Sequence, residues 1–151
     1  MKNIFEQSVT KEIIDRLNNL KPTTSAKWGK MNVAQMLAHC NVTYEMIYEP
    51  EKHPKPKGLK RFILKLVVKP LVVGDKVYKE NNPTAPAFII ASEREFELEK
   101  SRLIDFLHRT QELGGAYFDG KESNSFGALK TNEWNAMFYK HLDHHFRQFG
   151  V

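Results

Sequence analysis

In 151 residues there is one cysteine, Cys40, which excludes an internal disulfide framework and a multi-cysteine zinc knuckle. Any transition-metal site must therefore be built on histidine. No stretch reaches the roughly 20 apolar residues of a bilayer-spanning helix, because the most apolar run, Phe62 to Val73, is interrupted by Lys65, Lys69 and Pro70. The N-terminal segment has no leader-like apolar block either, since Glu6, Lys11, Glu12 and Asp15 break it. A chain without pairing cysteines or an export signal is expected in the reducing cytoplasm. Internal repeats, low-complexity tracts and composition breaks are lacking, so residues 1–151 are read as one domain.

Apolar residues make up 41% of the chain and charged ones 27%, enough for a buried core and a hydrated surface. The net charge of +5 is unevenly placed: residues 52–79 carry nine Lys and Arg against Asp75 alone, a local +8 that leaves −3 elsewhere. Such a segment attracts anionic lipid or nucleic acid in principle. Aromatic side chains do not alternate along these lysines as a base-stacking segment requires, which argues against nucleic acid.

Five helical stretches are predicted. Ile13, Leu17 and Leu20 recur at helical spacing before Pro22. Asn32 with Gln35 forms a capping box for a second helix that ends near Glu49, ahead of Pro50. In a third, ending near Pro70, Leu59, Phe62, Ile63, Leu66 and Val67 share one face and Arg61, Lys65 and Lys69 another. The expectation is an apolar face in the core and a basic face in solvent. Residues 71–91 read as a long irregular crossover with a short extended piece at Phe88 to Ile90. Ser92 and Glu95 suggest a second capping box, with Phe96, Leu98, Leu103, Phe106 and Leu107 as apolar positions up to Gly114 and Gly115. Thr131 is the expected N-cap of a final helix running to about Gln148. With no sustained alternation of strands, the fold class is all-α, an antiparallel four-helix bundle with an additional short helix and a long crossover loop.

Three of the six histidines fall within residues 141–145. At about 100° per residue, His141 and His145 lie roughly 40° apart, in the same arc as Trp134, Phe138 and Phe149. Asp143, Arg147 and Lys140 take the opposite arc and His144 the border, which makes His144 the weaker candidate ligand. Imidazoles at i and i+4 can reach a common metal ion. His39, beside the apolar stripe of Met36, Cys40, Tyr44 and Ile47, is the natural third ligand. The competing reading makes each of these an ordinary hydrogen-bonded helix histidine. Two inward imidazoles without a shared partner would, however, each be a costly buried polar group. His53 and His108 are expected in solvent, and Cys40 in the core. Leu142 stands where a zincin has its glutamate, so a peptidase is not expected.

The segments Trp28-Gly29-Lys30-Met31-Asn32, Gln35 to Cys40, Ser125-Phe126-Gly127, Glu133-Trp134 and Tyr139 to Gly150 resemble an uncharacterised bacterial family within the DinB/YfiT-like superfamily of metalloenzymes. The resemblance implies a four-helix bundle with a three-histidine metal site. Carried onto this chain, the ligands are His39, His141 and His145, which the helical wheel also selects. It further implies a divalent metal that activates a low-molecular-weight thiol; for this chain the histidine set leads us to expect zinc or nickel, activating a thiol or a water. The chain departs from the pattern at Ser123-Asn124-Ser125, where relatives place a His-Pro pair before Phe-Gly.

The leading expectation is a metal-dependent thiol transferase or hydrolase acting on a small molecule, with Trp134 and Phe138 walling the site and Gln148 or His144 donating hydrogen bonds behind it. One alternative is a non-enzymatic binding module using residues 52–79. Another is a catalytically inactive homodimeric scaffold.

Overall fold

The computed structural model describes residues 1–151 and is mostly helical, with one two-stranded sheet. Helix α1, Gln7–Asn18, buries Val9, Ile13 and Leu17. Helix α2, Val33–Tyr48, opens on the expected capping box: Asn32 Oδ1 accepts from the Gln35 N–H at 2.8 Å, and Gln35 Oε1 from the Asn32 N–H at 3.0 Å. Both orphaned amides are thereby satisfied. Unlike α1, α2 is buried on nearly every side from Val33 to Glu45, as befits a central helix.

The third stretch runs through Pro70 rather than stopping there. Helix α3, Gly58–Ile63, passes into a π-helical turn at Leu64–Val68 and then into helix α4, Lys69–Val73. The wide turn directs the Lys69 N–H to the Leu64 carbonyl, and Pro70 enters α4 in its first turn, where a missing N–H costs little. Beyond Gly74 the chain is irregular except for a 3₁₀ turn at Pro86–Phe88, which takes in the first residue of the expected extended piece; Ile89 then has extended backbone without forming a strand.

Helix α5, Phe96–Phe118, is capped by the Glu95 carboxylate, which accepts from the Leu98 N–H at 3.0 Å, so Ser92 has no capping role. Leu98 points to solvent, whereas Leu103, Phe106 and Leu107 are buried. Gly114, at φ 69°, kinks the helix where a stop was expected, and the chain resumes helical form to Phe118. Strands β1, Glu122–Ser123, and β2, Gly127–Ala128, make a small hairpin not anticipated from sequence. Ser123 Oγ closes it by donating to the Gly127 carbonyl and accepting from the Phe126 N–H, both at 2.9 Å. Helix α6, Thr131–Gln148, begins one residue earlier than expected: Lys130 is the cap position, and its N–H bonds Glu133 Oε2 at 2.9 Å.

Helix α5 packs against α1, α2 and α6, and α6 also packs against α1 and α2. Tyr44 lies between Phe106 and Phe138, stacked at 5.7 and 5.1 Å between centroids. Phe138 in turn stacks on Trp134 at 5.5 Å. This aromatic column fixes how α2, α5 and α6 rotate about their axes, and so which face of α2 and α6 meets the opening described next.

Candidate metal centre

A cleft of about 1370 Å³ opens between this helical body and the segment from Lys52 to Ile90, and His39, His141, His144 and His145 all line it. The structure brings His39, His141 and His145 together: one nitrogen from each lies within 4.8 Å of the others. His39 Nε2 and His141 Nε2 are 2.9 Å apart, and the His39 and His145 rings are 4.5 Å apart between centroids. Two imidazoles on a tetrahedral ion with about 2.05 Å bonds would place their nitrogens roughly 3.3 Å apart; the His39–His141 pair is somewhat closer than this at 2.9 Å, and the trio as a whole stays within 4.8 Å.

The outer nitrogens explain why the inner ones converge. His39 Nδ1 lies 2.8 Å from the Phe88 carbonyl; a carbonyl only accepts, so Nδ1 carries the proton and Nε2 presents its lone pair inward. His145 Nδ1 lies 2.8 Å from Gln148 Oε1. Gln148 is oriented by its Nε2, which donates to the Trp28 carbonyl at 2.7 Å, so His145 too is a donor at Nδ1 with a free Nε2 lone pair. His141 Nδ1 is 3.1 Å from Thr43 Oγ1, one helical turn beyond His39. Within this set a proton on His141 Nε2 can satisfy His39, but His145 Nε2 then has no partner. One cation satisfies all three nitrogens, and carbonyl or amide acceptors behind metal-bound histidines are the usual means of fixing ring and tautomer.

Burial pushes all three imidazoles below their usual value. For His39 this outweighs the Phe88 hydrogen bond, which favours the protonated ring. His141 is held well below its usual value by burial and by the neighbouring histidines. His145 is pushed down to about 3 by burial and His39, against the Gln148 hydrogen bond. The rings are therefore neutral at neutral pH, the form in which an imidazole can coordinate a metal.

Gly29 is what lets Gln148 reach its place. Its φ is +84°, and a Cβ there would lie 2.6 Å from Gln148 Nε2. The loop is further tied to α6 by the Lys27 N–H, which donates to the Gln148 carbonyl at 2.8 Å. Gln148 thus serves as acceptor to His145, not as the expected donor. His144 has the border position expected of it, edge-on to Trp28 and Tyr78. Trp134 lines the cleft, but Phe138 does not: it is part of the aromatic column behind it. Asp143 faces outward, paired with Arg16 at 2.9 Å and Arg147 at 3.0 Å. Cys40 is buried against Met36, which pushes its thiol far above the usual range and leaves it inert.

Two groups escaped the sequence reading. Lys140, expected in the solvated arc, is buried: its ammonium donates to the Leu71 carbonyl at 2.8 Å and the Gly74 carbonyl at 2.5 Å and lies 4.6 Å from the Tyr78 ring centroid. It thus caps the C-terminal end of α4 and fastens the outer cleft wall to the residue beside His141. His53, expected in solvent, is mostly buried and bonds Glu45 Oε2 at 2.7 Å on the cleft wall. Burial opposes ionisation of Glu45, yet hydrogen bonds from His53 and Arg102 hold its carboxyl below the usual range. His108 is exposed, as expected. Thr43 carries a readable signal, its four-residue spacing from His39, whereas the Phe88 carbonyl and the contact of His53 with Glu45 have none.

No curated protein and no solved structure matches the chain. Residues 5–150 match the family model described as protein of unknown function (DUF1569). With nearly its whole length covered, the chain belongs to the DUF1569 family.

Proposed function

We propose that the protein is a metal-dependent enzyme in which His39, His141 and His145 hold one divalent ion, zinc or nickel, and that its helices form a DinB-like antiparallel four-helix bundle around that centre. The observation that carries this reading is the convergence of three neutral imidazoles, His39 and His145 buried and His141 partly so, whose outer nitrogens are already engaged. An all-imidazole donor set suits zinc and nickel better than the hard, oxygen-seeking cations. Three protein ligands leave a coordination position free on the cleft side, the arrangement of a catalytic site rather than a structural one. When bound, such an ion supplies Lewis acidity, lowering the pKa of a thiol or water so that a nucleophile is available at neutral pH.

The remaining work falls to the chain. Phe88, Thr43 and Gln148 hold the rings in register, and Trp28 and Trp134 give the cleft apolar walls. Its volume of about 1370 Å³ exceeds the roughly 300–1,000 Å³ that one small ligand requires. That leaves room for a two-substrate transfer, a low-molecular-weight thiol beside an electrophilic small molecule, as well as for hydrolysis.

Loading the purified protein with cobalt(II) and titrating in glutathione as a probe thiol tests the reading. A one-to-one cobalt complex that gains sulfur-to-metal charge-transfer absorption is expected. Bound cobalt without that band contradicts the thiol step. Failure to bind cobalt or zinc contradicts the reading as a whole.

A further inference from the structure

The stretch from Gly58 to Val73 is mounted with its charged side toward the protein. Arg61 pairs with Glu122 at 2.7 Å, Lys69 with Glu133 at 2.8 Å, and the Lys65 side chain lies over Gly127. Leu64, Val68 and Val72 pack on the core. The opposite side carries Leu59, Phe62, Ile63, Leu66, Val67 and Leu71, at the three- and four-residue intervals that make one continuous stripe. Ile63 is 49% exposed and the other five 59–74%. Scattered apolar residues on a surface need no explanation, but six forming a single stripe call for a partner.

Charge indicates which partner. Residues 53–74 contain no acidic side chain, and Lys55, Lys57, Lys60 and Lys65 make no ion pair once Arg61 and Lys69 are bound by glutamates. Lys55, Lys57 and Lys60 lie at the start of the stripe and are exposed. A second copy seated on the stripe would offer these lysines no acidic partner, since residues 53–74 hold none, and nucleic acid would leave the leucines unburied. A negatively charged lipid surface accepts both parts, with apolar side chains entering the headgroup boundary and ammonium groups among the anions. No helix is long and apolar enough to cross a membrane, so the contact lies in the plane of the interface.

We infer that the outward face of the Gly58–Val73 helical stretch is a docking surface for an anionic membrane, used by the folded protein while its cleft remains intact. The inference does not depend on the metal centre.

Co-sedimentation of the full chain with vesicles tests it, comparing phosphatidylcholine alone with phosphatidylcholine containing phosphatidylserine, at physiological ionic strength. Binding to the serine-containing vesicles and not to the neutral ones is expected. Phe62→Glu/Leu66→Glu should lower partitioning by about tenfold or more. Lys55→Gln/Lys57→Gln should lower it by about fivefold per lysine, with helical content and thermal midpoint unchanged in both variants. Wild-type protein that stays in the supernatant overturns the inference, as does Phe62→Glu/Leu66→Glu protein that still sediments like wild type. A wild-type dimer that the same substitutions convert to monomer, without vesicle binding, assigns the stripe to a second copy and also overturns it.

Discussion

Helix α6 and the stretch from Gly58 to Val73 each combine an apolar stripe with a charged one, yet the protein mounts them in opposite senses. In α6 the stripe of Trp134, Phe138, Leu142 and Phe146 is buried, with His141 and His145 close to it. In the other stretch the broader stripe faces solvent, and its cations lie against Glu122 and Glu133. An amphipathic period therefore identifies a helix and its two faces without saying which face the body of the protein takes. In α6 the choice is made by a column of large aromatic groups shared with α2 and α5. In the outer stretch it is made by two ion pairs and a smaller set of inward residues, Leu64, Val68 and Val72.

The contrast can be tested from its strongest side. His141→Ala should abolish stoichiometric zinc binding while leaving the helical spectrum intact, because it removes one of the three proposed ligands; metal analysis after gel filtration checks this. Phe138→Ala should cost about 3–5 kcal/mol of unfolding free energy in a denaturant titration, as expected for deleting a buried aromatic side chain. Gln148→Leu keeps all three ligands but frees the His145 ring, and should weaken zinc affinity by about 10- to 100-fold in a competition titration with a chelator.

Acid should also separate the two regions. The metal-free protein holds His145 at about 3 through burial, against about 6.5 in the unfolded chain. Between these values the unfolded state binds the extra proton, so stability falls as pH drops from about 6.5 toward 3 and is restored as pH rises. Denaturation followed across that range should be flatter in His145→Asn. At the weak end, Leu66→Ser should change stability by no more than about 0.5 kcal/mol, the range of an ordinary exposed position. A loss of several kcal/mol there would place the stripe in the core and remove the contrast.

Much of the helical order was legible in the chain because local chemistry determines it: Asn32 and Gln35 form their capping box, Pro50 follows the end of α2, and Gly114 breaks α5. The histidine trio was legible for a related reason, since His141 and His145 share the arc of Trp134, and His39 lies beside the stripe of α2. What escaped the reading depends on long-range contacts. Lys140 is buried only because α4 ends above it, and His53 meets Glu45 only because the chain turns back after Pro50. The passage of the third stretch through Pro70 depends on a π turn, for which the sequence carries no simple sign.

The most direct test of the metal centre is X-ray absorption on protein loaded with one equivalent of zinc. The account predicts three imidazole nitrogens at about 2.0–2.1 Å, falling to two in His39→Ala. A wild-type spectrum with fewer than three imidazoles, or one unchanged by that substitution, would contradict it.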